Sequence, residues 1–409
     1  MKLALLHPIA ELDHTINITG SKSESNRLLV LQALFPNLDI SNLSNADDVA
    51  AMTEALGSNT SLKDIHHAGT TMRFLTAYYA TQKDKKVTLT GSKRMQERPI
   101  GILVDALLQL GASIDYAKNE GYPPLSIEGK SISRSQVTLP ASVSSQFISA
   151  LMLIAPKLSN GLQLNLEGHI TSVPYIRMTQ ALLERIGIET DFTANCIRIM
   201  PFQGEMKSQH LVVESDWSSA SYFYSMVALA NTAKIELNSY RKDSLQGDSV
   251  LQELYRSLGV ETRFTYSGMV LEKSAAYAKP ESIAFDLVNA PDLAQTIAVS
   301  CAGLGIGCEL TGLHTLKIKE TDRLLALETE LTKLGANIRV TENSLHLAPN
   351  TVLNPDQSIA TYQDHRMALA FAPLALKVPI QIEEAMVVSK SYPDFWQDMA
   401  ALGFILEKK

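Results

Sequence analysis

The stretch Leu110-Gly111-Ala112-Ser113-Ile114 joins the end of a helical apolar pattern to the start of a strand-like one. Glycine suits the left-handed backbone position that follows many helices, and alternating residues come after it. The apolar residues before it recur at spacings of one, three and four, which places them on one helix face: Ile102, Leu103, Ala106, Leu107 and Leu110. The stretch therefore predicts a helix that stops at a glycine and is followed by a strand.

The same pattern recurs along the whole chain. Its copies are Ile186-Gly187-Ile188-Glu189, Leu258-Gly259-Val260-Glu261, Leu334-Gly335-Ala336-Asn337-Ile338 and, more weakly, Leu56-Gly57 and Leu402-Gly403. Successive glycines stand 54, 76, 72, 76 and 68 residues apart. One Leu-Gly pair is an ordinary helix stop, but six in near-register indicate repeats that each contain two helices and several strands. They predict an α/β (α+β) protein of two similar domains with three repeats each.

The boundary between the two predicted domains lies near residue 213, where strand-like His210-Leu211-Val212-Val213 runs into Glu214-Ser215-Asp216. Because strand-like residues 1–6 precede the first repeat, we expect them to pair within the C-terminal domain. The prediction therefore assigns residues 1–19 and 214–409 to one globular domain, with repeats four to six, and residues 20–213 to the other, with repeats one to three.

Composition limits the classes of partner. The 409 residues are 45% hydrophobic and 19% charged, enough for a large core and more than one ordinary domain needs. The formal net charge of −7 argues against nucleic acid and against an anionic membrane as partners. An anionic ligand would therefore need cations that are gathered locally.

Three cysteines, Cys196, Cys301 and Cys308, lack metal or redox spacing and predict reduced core thiols in a cytoplasmic protein. No stretch approaches the ~18 uninterrupted apolar residues of a membrane span. We expect no signal peptide, because His7 and Pro8 interrupt the first apolar run.

The segment Gly20-Ser21-Lys22-Ser23-Glu24-Ser25-Asn26-Arg27 is polar and precedes an apolar run. Ser21 followed by Glu24 fits a capping box, and a helix start offers backbone N–H groups and the positive end of a dipole to an anion. Lys22 and Arg27 add side-chain charge there. For the segment alone, an ordinary capped helix with solvated cations explains the pattern equally well.

Similar polar segments precede apolar runs in both halves of the chain. They are residues 66–73, 93–100, 142–147, 172–175, 290–292, 317–323, 364–368 and 389–393. Each alone is explained by a helix cap, a solvated loop or an exposed ion pair. We expect no shared metal at His66 and His67, because adjacent side chains point to different sides. If the two domains face each other with these helix starts inward, an anion-binding cleft follows.

Six motifs resemble, in order and over essentially the whole chain, those of the 5-enolpyruvylshikimate-3-phosphate synthase family. They are Gly20-Ser21-Lys22-Ser23 with Ser25-Asn26-Arg27, Ala68-Gly69-Thr70, Glu97-Arg98-Pro99-Ile100, Val143-Ser144-Ser145-Gln146-Phe147, Lys319-Glu320-Thr321-Asp322-Arg323 and Asp364-His365-Arg366-Met367. The resemblance implies two domains of three βαβαββ units, an inside-out α/β barrel arrangement, that close on substrates in the cleft between them. It implies transfer of the enolpyruvyl group of phosphoenolpyruvate to the 5-hydroxyl of shikimate 3-phosphate, with release of phosphate and without a metal or organic cofactor.

The resemblance also implies which residues hold shikimate 3-phosphate. Ser23 and Arg27 would bind its carboxylate, while Ser144, Ser172 and Lys319 would bind its phosphate. Residues implied around the rest of this substrate are Lys22, Ser145, Gln146, Tyr175, Asp292 and Thr315.

Phosphoenolpyruvate would take its own set of residues. The phosphate receptors implied by the resemblance are Lys22, Arg98, Gln146, Lys390 and the backbone at Gly69, and the carboxylate fork is Arg323 with Arg366. Asp292 would hold the attacking hydroxyl and Glu320 would handle the proton at the methylene carbon. The residues do not assign which of Lys22, Asp292 and Glu320 moves which proton.

Some positions depart from the family pattern, and two other functions stay open. His67 and Thr315 stand where the family usually has asparagine, Phe74 replaces a proline, and residues 57–66 look shortened. Because His67 and Phe74 bear on the shape of the Gly69 segment, glyphosate sensitivity is not implied. The alternatives are a UDP-N-acetylglucosamine enolpyruvyl transferase, which typically carries a cysteine in the segment corresponding to 93–98, and a non-catalytic anion-binding relative. Neither is favoured, because that segment has no cysteine and the chain retains both catalytic carboxylates. The expected partners are the two small-molecule substrates, and we expect a monomer.

Overall fold

The structure is a computed structural model that describes residues 1–140, 144–168 and 170–409. Ser142 and Val143 of the polar segment 142–147 lie outside the described residues. The chain forms two units: Met1–Thr19 with Glu214–Lys409, here called the terminal unit, and Gly20–Val213, here called the inserted unit.

The strands are short and are numbered in chain order. They are β1 (Leu3–Leu6), β2 (Glu11–Ile16), β3 (Leu38–Ser41), β4 (Leu62–Asp64), β5 (Lys86–Thr90), β6 (Ser113–Tyr116), β7 (Leu125–Glu128), β8 (Gln136–Pro140), β9 (Leu162–Glu167), β10 (Thr190–Thr193), β11 (Cys196–Ile199), β12 (Gln209–Val212), β13 (Thr232–Asn238), β14 (Val260–Phe264), β15 (Gly268–Lys273), β16 (Ser282–Asp286), β17 (Gly307–Thr311), β18 (Ile338–Val340), β19 (Leu345–Leu347), β20 (Gln357–Ile359), β21 (Ile380–Ile382) and β22 (Ile405–Lys408).

The helices alternate with these strands. They are α1 (Lys22–Leu34), α2 (Asp47–Gly57), α3 (Gly69–Ala80), α4 (Gly101–Leu110), α5 (Ser145–Ile154), α6 (Val173–Arg185), α7 (Trp217–Leu229), α8 (Leu251–Leu254), α9 (Ala294–Leu304), α10 (Arg323–Lys333), α11 (His365–Phe371) and α12 (Phe395–Ala401). Short 3-10 turns lie at Met95–Glu97, Ala155–Lys157, Gly247–Val250, Tyr255–Leu258, Pro291–Leu293, His314–Ile318, Ala372–Leu376 and Ala385–Lys390.

The terminal unit, whose residues are all described, contains three four-stranded sheets with one common plan. Their strand orders are β2-β13-β15-β14, β16-β17-β19-β18 and β20-β21-β1-β22. The first two strands of each sheet are parallel and the remaining neighbours are antiparallel. A parallel pair needs a crossover, and α9 and α11 supply it within the second and third sheets. Strand β1 completes the third sheet by pairing with β21 and β22.

The inserted unit repeats the plan in β4-β5-β7-β6 and β8-β9-β11-β10, while β3 and β12 form a parallel pair among its described residues. This third sheet has two strands where the resemblance implies four. Its two strands come from opposite ends of the unit, since β3 follows α1, the first helix of the unit, and β12 ends just before the chain leaves the unit.

The repeat glycines end helices as predicted in five of the six repeats. Each has a positive φ and is followed by a strand: Gly111 (102°), Gly187 (87°), Gly259 (83°), Gly335 (93°) and Gly403 (92°). The prediction is wrong at Gly57, which is the last residue of α2. There the chain leaves the helix through Ser58 in an extended conformation, with φ −79° and ψ 144°, so no left-handed residue is needed.

Buried helices form the interior of each unit. Every residue of α3 and α11 is buried, as are the residues of α7 apart from Ser218 and the first nine of α9. Helix α3 packs on α5, and α9 packs on both α7 and α11. Gly303 allows the approach of α9, since a Cβ there would lie 2.5 Å from a methyl of Leu229. Helices α3 and α11 are buried on all sides, whereas strands such as β7 and β8 expose alternate residues.

Two of the three cysteines lie in this interior. Cys301 and Cys308 are buried, as predicted, whereas Cys196 is half-buried at the start of β11, so its assignment to the core is wrong. No helix in the described ranges combines the length and apolar composition that crossing a bilayer requires.

Candidate functional site

The predicted helix start at Lys22 is present in the inserted unit. Helix α1 begins at Lys22, and the hydroxyl of Ser21 accepts a hydrogen bond from the backbone N–H of Glu24 at 3.5 Å. The carboxylate of Glu24 lies 3.8 Å from the guanidinium of Arg185. The ammonium of Lys22 is half-buried and lies 4.0 Å from the carboxylate of Asp48. Its charge is therefore held at the helix start, where an anion is stabilised by backbone N–H groups.

Arg27 is almost fully buried, and its partners are hydroxyls and carbonyls of the inserted unit. Nε donates to Oγ1 of Thr179 at 2.8 Å, and Nη2 donates to Oγ of Ser149 at 3.0 Å. Nη1 donates to the carbonyl of Ser23 at 2.8 Å, and Nη2 also donates to the carbonyl of Tyr175 at 3.3 Å. A guanidinium has five N–H groups, so its bonds to the described residues leave one N–H of Nη1 for a ligand.

Burial lowers the pKa of Arg27 to about 10, although Tyr175 and Glu24 act in the opposite direction. The side chain therefore keeps its positive charge at neutral pH. Two aromatic rings add cation–π contact, with the guanidinium carbon 5.3 Å from the Phe74 ring centre and 5.9 Å from that of Tyr175. Phe74, a departure from the family pattern, thus helps to hold a predicted substrate-binding residue.

Gly69 and Arg98 lie against each other at the start of α3. A Cβ added at Gly69 would lie 2.6 Å from Nη1 of Arg98, so glycine is needed for this approach. Arg73, which is 4% exposed, joins the two segments. Its guanidinium donates to the carbonyl of Gly69 at 3.2 Å and to that of Pro99 at 3.0 Å. Sequence reasoning did not assign Arg73 to the site, although it ends the quoted segment 66–73.

The start of α5 lies close to the start of α3. Ser144 caps α5, because its hydroxyl accepts the backbone N–H of Gln146 at 3.4 Å, and Ser145 is buried. The side-chain amide of Gln146 donates to Oγ1 of Thr70 at 3.1 Å. Gln146 and the segment around Gly69 are therefore brought together, as the phosphate-binding prediction requires.

Ser172 precedes α6 with an unusual backbone. Its φ is 54°, in the left-handed region, and its hydroxyl does not cap the helix. The carbonyl of Ser172 instead accepts the backbone N–H of Tyr175 at 3.1 Å. Non-glycine residues in this region cost conformational energy and cluster at ligand sites, so the geometry favours a binding role for this turn.

In the terminal unit, Arg323 is the centre of a cluster of carboxylates. It is 2% exposed, and its Nε donates to Oδ2 of Asp364 at 2.7 Å. Nη1 donates to Oδ1 of Asp292 at 2.8 Å, and Nη2 donates to Oε2 of Glu320 at 2.7 Å. The three carboxylates that accept hydrogen bonds from this planar guanidinium are therefore fixed in direction as well as in distance.

Asp292 receives a second guanidinium and an ammonium. Nη2 of Arg366 donates to its Oδ2 at 3.2 Å, and the ammonium of Lys319 lies 3.5 Å from its Oδ1. Burial opposes ionisation of Asp292, but the charges of Arg366, Lys319 and Arg323 outweigh burial and hold its pKa well below its ordinary value. This carboxylate is therefore ionised at neutral pH.

Lys390 and Thr315 lie on two different 3-10 turns of the same unit. The ammonium of Lys390 donates to the carbonyl of Gln363 at 2.7 Å, just before the Asp364-His365-Arg366 motif. Oγ1 of Thr315 is buried, and no described residue accepts or donates a hydrogen bond to it. The unit thus brings six predicted residues to one region: Asp292, Lys319, Glu320, Arg323, Arg366 and Lys390.

Asp364 and Ser218 are site residues that sequence reasoning missed. Asp364 is fully buried, binds Arg323, and caps α11 by accepting the backbone N–H of Arg366 at 2.9 Å. Its position in the motif Asp364-His365-Arg366-Met367 is the signal in the sequence that could have identified it. Ser218 accepts from Nη2 of Arg366 at 3.3 Å, and no sequence pattern marks it.

The described histidines at positions 66 and 67 have separate surroundings. His66 lies 3.8 Å from a carboxylate oxygen of Asp64, whereas His67 bonds to the hydroxyl of Ser92 at 2.9 Å, so the two rings have separate partners. In the described parts of the chain no three or more His, Cys, Asp or Glu residues are grouped to hold a metal ion.

Known proteins resemble this chain over most of its length. A family model described as EPSP synthase (3-phosphoshikimate 1-carboxyvinyltransferase) matches residues 58–399. A 3-phosphoshikimate 1-carboxyvinyltransferase of Bacteroides fragilis is 46% identical over 414 residues, covering 98% of each chain. A protein with the same description from Haemophilus influenzae is 34% identical over 431 residues, covering 97% of this chain and 98% of its own.

Solved structures share the fold. An EPSP synthase from Acinetobacter baumannii matches with a TM-score of 0.79 at 20% identity over 100% of both chains. The enolpyruvyl transferase NikO from Streptomyces tendae matches with a TM-score of 0.75 at 13% identity over 99% of this chain and 98% of its own. The predicted α/β fold class is thereby confirmed. On the strength of the family model and the relatives, this chain belongs to the EPSP synthase family.

Proposed function

We propose that this protein transfers the enolpyruvyl group of phosphoenolpyruvate to the 5-hydroxyl of shikimate 3-phosphate and releases phosphate, as a step of aromatic amino-acid biosynthesis. The observation that carries the proposal is 46% identity over 98% of the chain to a protein described as a 3-phosphoshikimate 1-carboxyvinyltransferase. The clusters around Arg27 and Arg323 support it, because both present fixed cations for anionic substrates.

We assign shikimate 3-phosphate mainly to the inserted unit. Its carboxylate would take the remaining N–H of Arg27 and the hydroxyl of Ser23. Its phosphate would take the hydroxyls of Ser144 and Ser172 together with Lys319. Further contacts with this substrate are assigned to Lys22, Ser145, Gln146, Tyr175, Asp292 and Thr315. Two observations on Ser172 support this assignment: its φ is positive, and its hydroxyl is not used as a helix cap.

Phosphoenolpyruvate is assigned to residues of both units. Its phosphate would bind Lys22, Arg98, Gln146, Lys390 and the backbone at Gly69. Its carboxylate would bind Arg323 and Arg366, whose planar forks suit a carboxylate. The packing of Arg98 against Gly69 supports a phosphate site there, because glycine leaves backbone N–H groups open to an anion.

Asp292 is proposed to hold the attacking hydroxyl and accept its proton. With Arg323 and Arg366 both on its carboxylate, Asp292 is a weak base. A substrate carboxylate that takes N–H groups of these arginines would share their charge and raise the pKa of Asp292 toward the range of a useful general base. Glu320 and Lys22 are the remaining candidates for proton transfer to and from the methylene carbon.

We also propose that the protein is a cytoplasmic monomer. The free thiols of Cys196, Cys301 and Cys308 are in keeping with a reducing compartment. Size-exclusion chromatography with light scattering tests the monomer, and a mass near twice that of the chain would contradict it.

A phosphate-release assay tests the function. Purified protein should release phosphate from phosphoenolpyruvate when shikimate 3-phosphate is present, and not with either substrate alone. With UDP-N-acetylglucosamine as the acceptor no phosphate should be released, which distinguishes the proposed reaction from the nearest alternative. Asp292→Asn should keep the fold and lose activity by about 100-fold or more, as expected for loss of a general base. Absence of release with both substrates would overturn the proposal.

A further inference from the structure

A carboxylate that has no place in the proposed reaction lies one hydroxyl away from Arg366. The hydroxyl of Ser218 donates a hydrogen bond to Oδ2 of Asp248, and it accepts one from Nη2 of Arg366 at 3.3 Å. Because a hydroxyl has one proton and two lone pairs, it can serve both partners at once. The same Nη2 donates to Oδ2 of Asp292 at 3.2 Å. Asp248 is therefore linked through Ser218 to the guanidinium assigned to the substrate carboxylate.

The position of Asp248 is fixed by its surroundings. It lies in the 3-10 turn Gly247–Val250 and is 4% exposed. The preceding Gln246 ties this turn to α7, since its amide oxygen accepts the backbone N–H of Trp217 at 2.9 Å and its amide nitrogen donates to the carbonyl of Ser215 at 2.8 Å. Ser218 is in the first turn of α7. The contact between Asp248 and Ser218 is thus built from two anchored segments.

Among the described residues, three charged groups influence the pKa of Asp248. They are the guanidinium of Arg366, the carboxylate of Asp292 and the carboxylate of Asp216, which precedes α7. Burial raises the pKa of Asp248 to about 6, against the opposing effects of Arg366 and of the Ser218 hydrogen bond. This carboxyl therefore changes its charge close to neutral pH. An anion that binds Arg366 would add negative charge beside it and favour its protonated form.

We propose that Asp248 is a positioning residue of the carboxylate site at Arg366, and that it takes up one proton from solvent when a carboxylate anion binds there. The identity of that anion as phosphoenolpyruvate rests on the proposed function. Ionised Asp248 keeps Ser218 turned to accept from Arg366 and so orients the guanidinium. Protonated Asp248 no longer competes for the charge of Arg366, which then acts more fully on the bound anion.

Linkage makes the proposal measurable. If anion binding favours protonation of Asp248, then protonation of Asp248 favours anion binding by the same factor. Relative to Asp248→Asn, which stays neutral at every pH, the wild-type protein should lose affinity for phosphoenolpyruvate as pH rises. The ratio of the two KM values should change at least about fivefold between about pH 5.5 and about pH 7.5. Taking the ratio of the KM values cancels the effect of ionisation of the substrate phosphate, because this effect is the same for both proteins.

Two further variants separate positioning from general damage. Ser218→Ala removes the hydroxyl and should raise KM for phosphoenolpyruvate more than it changes kcat, whereas Ser218→Thr, which keeps a hydroxyl, should stay near the wild-type value. Asp398→Asn is the matched control. Burial also raises the pKa of Asp398, but this carboxylate bonds to Tyr392, so its replacement should leave the pH dependence of KM unchanged.

Calorimetry tests proton uptake without turnover. Phosphoenolpyruvate is titrated into wild-type protein and into Asp248→Asn at pH 7, in two buffers that differ in ionisation enthalpy. The wild-type protein should take up more protons than the variant, by up to one per site. Equal uptake together with a flat KM ratio would overturn the proposal, as would an unchanged KM in Ser218→Ala. If the phosphate-release assay shows no activity, the measured proton uptake still tests the role of Asp248. The two proposals can therefore fail independently of each other. Should Asp248→Asn not fold, the Ser218 pair and the wild-type uptake carry the test.

Discussion

Arg323 and Asp364 form a buried ion pair, with Nε of the arginine 2.7 Å from Oδ2 of the carboxylate. Both side chains are at most 2% exposed. The other oxygen of Asp364 accepts the backbone N–H of Arg366 at 2.9 Å and so caps α11. One carboxylate therefore sets the positions of both arginines that we assign to the substrate carboxylate.

Asp364→Asn should weaken this arrangement while keeping the helix cap, because asparagine caps helices about as well as aspartate. Loss of the charge leaves a buried guanidinium less compensated, which should lower the free energy of unfolding by about 3 kcal/mol. Urea unfolding measures the change. Asp322→Asn is the control, since Asp322 caps α10 through Leu325 outside the buried cluster, and it should cost under about 1 kcal/mol. An equal decrease in the free energy of unfolding in both variants would contradict the stabilising role of the Asp364 charge.

Arg27→Lys should destabilise the inserted unit even though the charge is kept. A lysine cannot reproduce the planar fork that bonds Thr179, Ser149 and two backbone carbonyls. Buried acceptors left without donors should lower the free energy of unfolding by about 2–4 kcal/mol. Thermal and urea unfolding check this. The control is Arg177→Lys, at an exposed position of the same unit, which should change the free energy of unfolding by less than about 0.5 kcal/mol.

Gly69→Ala should act on Arg98 rather than on the fold. The new Cβ would lie 2.6 Å from Nη1 and 3.0 Å from Nη2 of Arg98, and the end of a flexible side chain can move away. We expect KM for phosphoenolpyruvate to rise about tenfold or more while the unfolding temperature stays within a few degrees. Steady-state kinetics and a melting curve test it. Gly57→Ala is the matched control, because a Cβ there meets nothing within 4 Å, and its KM should equal the wild-type value.

Asp248 should make the protein less stable as pH rises. Its pKa is about 6 in the folded protein and 3.8 for the ordinary group, so the folded state binds more protons between these values. The free energy of unfolding should therefore fall across this range, by at most roughly 3 kcal/mol from this group. Asp248→Asn should remove that part of the slope in urea unfolding between about pH 4 and about pH 7. A steeper fall in the variant than in the wild-type protein would contradict the sign.

Helix ends were predictable because they depend on neighbours within a turn or two. Gly111 and Gly259 stop helices in the left-handed conformation that glycine tolerates, and Ser21 and Asp364 cap the helices that follow them. Gly57 shows the limit of such reasoning. The same dipeptide pattern occurs there, but the chain continues in an extended direction that any residue can adopt.

Partners of buried polar groups could not be predicted in this way. Arg27 bonds to residues 152 and 122 positions away along the chain, and Ser218 meets Arg366 across 148 positions. No local pattern marks such pairs, because they depend on which helices the fold packs together. Arg73 and Ser218 were missed for this reason, although Arg73 lay inside a segment already marked as polar.

The amino-acid sequence by itself determined the repeat, the α/β class and the motifs of the EPSP synthase family, because periodicity, capping and motif spacing are properties of short stretches. Only the tertiary structure decided that the bonds of Arg27 to the described residues leave one N–H for a ligand, that Asp292 lies between two guanidinium groups, and that one hydroxyl separates Asp248 from Arg366. Burial and hydrogen bonding are set when distant segments pack, so charge and geometry at the site follow from the fold rather than from any one stretch.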